Sequence, residues 1–228
     1  GGPKRVKLRY AVSDAAAVAR LLENLGGVAA ADLVLLTDPD RESVDRAFDA
    51  LGARIRSESP AGARTETVFY YSGHSDDAGL CLGAEKLGYG ELRGRIRALP
   101  SGVKVAILDS CASGVITRMK GGRPQAPFLV DTSSRMEGHA FLTSSSVDEA
   151  AQESDRIGGS FFTHYLVTGL RGAADANPDG KVTLNESYDY AFRETLAGTE
   201  QSRGGPQHPG YVIQLSGTGD LVLTDTRS

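Results

Sequence analysis

Cysteine is scarce in this sequence, with two residues, Cys81 and Cys111, in a chain of 228. Two cysteines cannot build the disulfide framework on which small secreted domains rely, and pairing them would remove a free thiol. A chain of this length can instead bury an apolar core large enough to stabilise one domain without such bridges. We therefore expect a reducing, cytoplasmic setting.

An excess of charge of either sign is also missing. Lys and Arg number 25 against 29 Asp and Glu, which leaves a formal net charge of −4. A chain with this charge balance does not show the excess of basic residues expected of a protein that binds nucleic acid or an anionic membrane. No apolar run approaches the roughly 20 residues of a membrane span, and no signal-peptide pattern opens the chain. We expect neither nucleic acid nor a membrane among the partners.

Two apolar segments predict neighbouring strands of a parallel sheet. Residues 103–108 are apolar and partly β-branched, as in a strand buried on both faces. Residues 67–71 are β-branched and aromatic, which also favours a strand. Other segments of this kind alternate with helical patterns, and this alternation predicts an α/β fold.

The first part of the chain shows that alternation. Ser13 and Asp14 are suited to cap a helix that ends near Gly26, and residues 33–36 predict a short buried strand. Asp38 is then suited to cap a helix with Pro39 as its first residue. Farther along, residues 80–82 and 86–87 predict two short strands before a helix with Tyr89, Leu92, Ile96 and Leu99 on one side.

Chemically reactive residues follow both predicted sheet strands. Asp109, Ser110 and Cys111 come directly after the first strand, and Gly73 and His74 follow the second. Carboxyl ends of neighbouring parallel strands meet at one edge of a sheet, where ligands bind in α/β folds. A thiol needs a neighbouring base to become a nucleophile at neutral pH. We therefore predict Cys111 as a nucleophile and His74 as its general base.

The two motifs resemble those of a known family. The segments Tyr71–His74 and Asp109–Gly114 resemble the histidine and cysteine motifs of the caspase-like cysteine peptidases, particularly of their bacterial and metacaspase-like branches. The likeness runs from about Leu8 to the end, although the Gln-Ala-Cys signature of animal caspases is absent. It implies a single domain over 1–228, with a mostly parallel central sheet flanked by helices on both faces. It further implies that the backbone N–H groups of Gly73 and Cys111 bind the oxyanion.

The resemblance also divides the chain. It implies a large-subunit-like part over about 1–116, a processing loop over about 117–138 and a small-subunit-like part over about 139–228. The polar composition and length of this loop are typical of a functional connection. Cleavage there, by the enzyme itself or by an upstream activating protease, would activate it. The candidate basic cleavage sites are Arg118, Lys120 and Arg135.

The beginning of the chain departs from the family pattern. Caspase-like folds begin with a core strand just upstream of the first helix, whereas this sequence opens on the turn-like Gly1–Arg5. An unpaired position inside a sheet would be costly. We therefore expect that a separate N-terminal segment supplies the strand, or that the chain has been trimmed.

Charge at the strand exit predicts a substrate preference. Asp109 precedes Cys111 by two positions and therefore points to the same side of an extended strand. A carboxylate there would pair with an arginine or lysine before the scissile bond, as the metacaspase resemblance also implies. The alternative is that Asp109 caps backbone amides at the strand exit. Asp148, Glu149 and Glu153 are secondary candidates for substrate binding, and a solvated charged loop explains them equally well.

A second constellation fits a calcium-binding loop of twelve positions. It has oxygen-bearing residues at the required positions and Gly180 at the sixth, between two helical patterns. The alternative is a metal-free tight turn followed by a capping box of Thr183 and Glu186. The candidate calcium ligands are Asp175, Asn177, Asp179, Lys181, Thr183 and Glu186.

The other cysteine and the other histidines are interpreted as structural residues. Cys81 lies between two leucines and is interpreted as a small buried apolar residue. His139, His164 and His208 lack a partner motif and are interpreted as structural.

The favoured hypothesis is a cysteine endopeptidase that cleaves proteins after Arg or Lys and requires no cofactor for its chemistry. One alternative is a catalytically silent caspase-like scaffold, although such a module has no physical need for both Cys111 and His74. Another alternative is a thiol hydrolase of a non-peptide ester or amide.

Overall fold

The protein is described here by a computed structural model of residues 8–59, 64–111, 137–146, 149–217 and 219–227. Five α-helices and eleven strands are present in these ranges, together with a 3₁₀ turn at Ala30–Asp32 and a π-helical turn at Gly169–Ala173. The helices are α1 (Ala11–Leu25), α2 (Arg41–Glu58), α3 (Tyr89–Ala98), α4 (Phe161–Thr168) and α5 (Leu184–Thr199). The strands are β1 (Glu66–Ser72), β2 (Ser75–Asp76), β3 (Gly79–Leu82), β4 (Glu85–Gly88), β5 (Val103–Asp109), β6 (Glu137–Thr143), β7 (Glu153–Ser154), β8 (Gly159–Ser160), β9 (Lys181–Thr183), β10 (Gly210–Ser216) and β11 (Val222–Asp225).

The central sheet has four strands in the order β1-β5-β6-β10. Strands β1, β5 and β6 run parallel, and β10 pairs antiparallel with β6. The predicted strand around residues 103–108 therefore lies in the interior of the sheet, with a parallel neighbour on each side. This arrangement confirms the predicted mostly parallel sheet.

Helices cover both faces of the sheet because strand residues point alternately to opposite sides. Val68 and Tyr70 of β1 face the cluster that includes α1, α4 and α5. Phe69 and Tyr71 face the other cluster, which includes α2 and α3. On that side the rings of Phe48 and Phe69 are stacked, with their centroids 5.6 Å apart. The two buried layers hold the carboxyl ends of β1 and β5 at one edge.

The predicted buried strand over residues 33–36 is wrong. This segment is not a strand, and Val34, Leu35 and Leu36 are exposed by 57%, 46% and 38%. A strand needs a neighbour to pair its backbone groups. Within the described ranges β1 pairs only with β5, and residues 33–36 belong to none of the sheets. An apolar run alone therefore did not identify a strand here.

The predicted helix caps are displaced by a few residues. Helix α1 already begins at Ala11, so Asp14 lies inside its first turn and is buried. Helix α2 begins at Arg41, and the carboxylate of Asp40, rather than that of Asp38, accepts a 2.8 Å hydrogen bond from the Ser43 N–H. Asp38 adopts a φ of 47° in the turn before it. Neighbouring acidic residues can cap equally well, so the turn geometry selects among them.

Local predictions in the middle of the chain are confirmed. Strands β3 and β4 form an antiparallel hairpin that leads into α3, and Tyr89, Leu92, Ile96 and Leu99 are all buried. Most of the predicted processing loop, with Arg118, Lys120 and Arg135, lies outside the described residues. Its last two positions, 137 and 138, already belong to β6.

No helix in the described parts of the chain combines the length and the apolarity that crossing a membrane requires.

Candidate active site

The exits of β1 and β5 lie side by side. Ser72 pairs with Asp109 at the end of the register, and the Gly73 N–H donates to the Asp109 carbonyl oxygen at 3.2 Å. Just beyond, the Ser75 hydroxyl donates a hydrogen bond to the carbonyl oxygen of Cys111. The segment with His74 is therefore bound directly to the residue predicted as nucleophile, 37 positions later in the chain.

Serine hydroxyls hold the turn that carries Cys111. The Ser110 N–H donates to the Ser144 hydroxyl oxygen at 3.1 Å, and the Ser145 hydroxyl donates to the Ser110 carbonyl oxygen at 3.3 Å. Both serines are fully buried directly after β6. These serines were not among the predicted site residues, although polar residues directly after a buried parallel strand mark the edge of such a sheet where ligands bind.

The backbone of His74 is fixed from the opposite side. The Tyr71 hydroxyl donates to the carbonyl oxygens of His74, at 2.7 Å, and Cys81, at 3.1 Å. The Cys81 N–H also donates to the His74 carbonyl oxygen at 2.9 Å. Cys81 is half-buried rather than fully buried, and its backbone helps to position the histidine segment.

Gly73 has a different structural role from the one predicted. Its N–H is already bound to the Asp109 carbonyl oxygen, so it could hold an oxyanion only after this bond had broken. A Cβ atom at this position would lie 2.4 Å from the Tyr71 hydroxyl oxygen. The ring of Tyr71 therefore explains why residue 73 is glycine. The Cys111 N–H stays the predicted oxyanion donor.

Asp109 is a buried acid with one satisfied oxygen. Its Oδ2 atom accepts hydrogen bonds from the hydroxyls of Ser160 and Thr163, the latter at 2.5 Å. Its Oδ1 atom is buried and has no hydrogen-bond partner within the described residues. Burial raises the pKa of Asp109, while the hydroxyls of Ser160, Thr163 and Ser144 oppose this shift. The observed donors are hydroxyls, whereas the capping alternative predicted backbone amides.

A second acid, Asp14, lies next to the same serine. Its Oδ2 atom accepts a hydrogen bond from the Ser160 N–H at 3.1 Å, while the Ser160 hydroxyl binds Asp109. Burial raises the pKa of Asp14 from 3.8 to about 7, and the neighbouring Asp109 adds to this effect. Asp14 was not predicted as a site residue, because an acid before an apolar helical pattern is typical of a helix cap.

The three secondary acidic candidates have different environments. Glu153 pairs with Ser160 across β7 and β8, which brings a third carboxylate toward Asp109 and Asp14. Its carboxylate accepts hydrogen bonds from the N–H groups of residues 9 and 10, at 3.1 and 3.2 Å. Glu149 instead binds the His208 ring nitrogen at 2.6 Å. Asp148 lies outside the described residues.

The predicted calcium loop forms a compact turn. Asp175 accepts a 2.8 Å hydrogen bond from the N–H of Gly180, which has a φ of 79°. Thr183 and Glu186 form the capping box at the start of α5. Across the described residues, no group of three or more His, Cys, Asp and Glu side chains is arranged to hold a metal ion. The capping box is confirmed, and calcium binding stays a prediction.

Comparisons with known proteins agree with this fold. A family model described as the caspase domain matches residues 3–217. Among solved structures, the chain is similar to caspase-1 from Spodoptera frugiperda, with a TM-score of 0.69 and 14% sequence identity. That similarity covers 98% of this chain and 85% of the other, and at this identity it supports a shared fold alone. A search of curated proteins found no match.

Proposed function

Because this chain belongs to the caspase domain family, we propose that it is a cysteine endopeptidase with Cys111 as nucleophile and His74 as general base. The observation that carries the proposal is the hydrogen bond from the Ser75 hydroxyl to the Cys111 carbonyl oxygen. It joins the residue after the histidine to the cysteine itself. A thiol and an imidazole on two such adjacent segments are the groups that acyl transfer needs.

The chemistry follows from these two groups. His74 accepts the thiol proton, and the sulfur of Cys111 attacks the peptide carbonyl carbon. The negative charge that develops on the carbonyl oxygen is stabilised by the Cys111 N–H. The imidazolium then protonates the leaving amine, which departs with the C-terminal part of the substrate. Water, deprotonated by His74, finally cleaves the thioester and releases the N-terminal part.

The buried acids support a preference for a basic residue before the scissile bond. Asp109 lies two residues before Cys111, and its Oδ1 atom is buried with no partner in the described ranges. A buried carboxylate oxygen without a hydrogen bond is costly, and a guanidinium or ammonium group would satisfy it. Asp14 adds a second carboxylate beside the shared Ser160. An aspartate side chain in the substrate could not form such a pair.

The pKa of Asp14 predicts how stability depends on pH. Between about pH 4 and pH 7 the folded protein keeps a proton on this carboxyl that the unfolded chain releases. The free energy of unfolding should therefore fall as the pH rises across this interval. The variant Asp14→Asn should lose this part of the pH dependence in urea unfolding measured at several pH values. The variant Asp49→Asn, at a side chain that is 82% exposed, should keep the wild-type slope.

The function itself is tested with fluorogenic peptides that carry Arg, Lys, citrulline or Asp before the reporter. We expect turnover of the Arg and Lys peptides and little turnover of the others. Preference for Asp would contradict the proposed specificity. No turnover of any peptide by the folded protein, before and after limited cleavage by an added protease, would favour the scaffold alternative. Parallel reactions with calcium and with a chelator test the loop at 175–186.

A further inference from the structure

Ser75 is placed where it can hold the nucleophile. The register between β1 and β5 ends at Asp109, two residues before Cys111. The cysteine therefore lies beyond the last position that this pairing of strands aligns. The Ser75 hydroxyl donates to the Cys111 carbonyl oxygen at that point. Beyond the last paired residue of a strand, a hydrogen bond from a side chain to the backbone can hold the chain in position where the sheet no longer holds it.

A buried tyrosine orients the Ser75 hydroxyl. Tyr89, at the start of α3, is 7% exposed and makes a side-chain hydrogen bond with Ser75. The Ser75 hydroxyl therefore lies between the side chain of Tyr89 and the carbonyl oxygen of Cys111. The result is a chain of two hydrogen bonds from α3 through Ser75 to the nucleophile.

The backbone at Ser75 is itself held in place. Ser75 pairs with Leu80 in the antiparallel β2–β3 ladder. Its neighbour His74 is fixed through its carbonyl oxygen by the Tyr71 hydroxyl and the Cys81 N–H. His74 and Ser75 therefore form one rigid segment, and a bond from Ser75 to Cys111 fixes the cysteine relative to the histidine.

We propose that Ser75 is a positioning residue that, together with Tyr89, keeps Cys111 in register with His74. The inference rests on the proposed function. Loss of the Ser75 hydroxyl would free the Cys111 carbonyl and loosen the geometry between thiol and imidazole. A thiolate is stabilised by a nearby imidazolium, so Cys111 should react more slowly with an alkylating reagent when this pairing weakens.

The test uses the variants Ser75→Ala, Ser75→Thr and Tyr89→Phe. Ser57→Ala is the matched control, because its hydroxyl donates to a backbone carbonyl oxygen in α2, remote from the site. Peptide hydrolysis provides kcat and KM. Alkylation by iodoacetamide across a pH series, resolved for Cys111 by mass spectrometry, reports thiolate formation without requiring turnover. Thermal unfolding checks that each variant is folded.

For Ser75→Ala we expect kcat to fall by about 10-fold or more, as loss of one positioning hydrogen bond suggests. KM should change less than about 2-fold, and Cys111 should be alkylated more slowly at neutral pH. Ser75→Thr should restore both readouts, Tyr89→Phe should shift them partway, and Ser57→Ala should leave them unchanged.

An unchanged kcat and an unchanged rate of Cys111 alkylation in folded Ser75→Ala would overturn the inference. It would also be overturned if Ser75→Ala lowered stability and activity together and Ser75→Thr rescued neither. If Ser75→Ala did not fold, the alkylation profile of Tyr89→Phe would decide the question, and a wild-type profile would contradict it. If the wild-type protein cleaved no peptide, the proposed function would fail, whereas the alkylation comparison would still test the role of Ser75.

Discussion

Cys111→Ala is expected to reduce peptide hydrolysis by at least about 10⁴-fold, because no other group in the proposed mechanism can form the acyl intermediate. The fold should survive, since the cysteine side chain is partly exposed in a turn after β5. Its replacement removes few buried contacts, so the free energy of unfolding should change by less than about 1 kcal/mol. Steady-state hydrolysis of an Arg peptide and urea unfolding measure the two effects.

The other cysteine provides the matched control. Cys81 contacts the site through its backbone, with its N–H bound to the His74 carbonyl oxygen and its own carbonyl bound by Tyr71. Cys81→Ala keeps both backbone groups and should retain most of the activity. Hydrolysis by Cys111→Ala would exclude Cys111 as nucleophile, and an inactive but folded Cys81→Ala would show that the wrong thiol had been assigned.

Asp109→Asn is expected to lower kcat/KM for Arg and Lys peptides by about 10²-fold or more, because a buried charge pair with the substrate is lost. The asparagine oxygen can still accept the hydrogen bonds of Ser160 and Thr163, so the site should remain folded. Removal of a buried carboxylate with a raised pKa should not lower stability at neutral pH.

Comparison of Arg with citrulline, its neutral analogue, separates charge recognition from a general loss of activity. The wild-type protein should prefer Arg strongly, whereas Asp109→Asn should treat the two peptides nearly alike. Glu149→Gln is the matched control, since it removes a carboxylate that binds His208. Equal losses of kcat/KM for the Arg and citrulline peptides in Asp109→Asn would instead indicate a structural role for Asp109. A loss of the preference for Arg in Glu149→Gln would show that Glu149, rather than Asp109, recognises the charge.

Elements with strong local signals were predictable from the sequence. The apolar run before Asp109 identified β5, an interior strand of the central sheet, and the polar residues that follow it identified the reactive edge of the sheet. The capping box of Thr183 and Glu186 was also predictable, because both partners lie within one helical turn. In each case the interacting groups are close in the chain, or their pattern reflects burial directly.

The segment over residues 33–36 shows where such signals fail. Its apolar residues satisfy the pattern of a buried strand, yet three of them are exposed and unpaired with any strand of the described ranges. Strand formation depends on a partner that can be distant in sequence. The role of Asp14 in the site could not be predicted for the same reason. Its partner Ser160 lies 146 positions away and cannot be identified from the local helical pattern.

The sequence by itself determined the α/β class, the positions of Cys111 and His74 at strand exits, and the family resemblance that the comparisons later confirmed. Only the tertiary structure decided that Ser75 bonds to Cys111, that Asp14 and Asp109 share Ser160, and that the ring of Tyr71 requires glycine at position 73. The physical reason is that strand and helix patterns arise from neighbouring residues. The contacts of a site arise where distant segments pack together, and they depend on register and side-chain direction, which no local pattern contains.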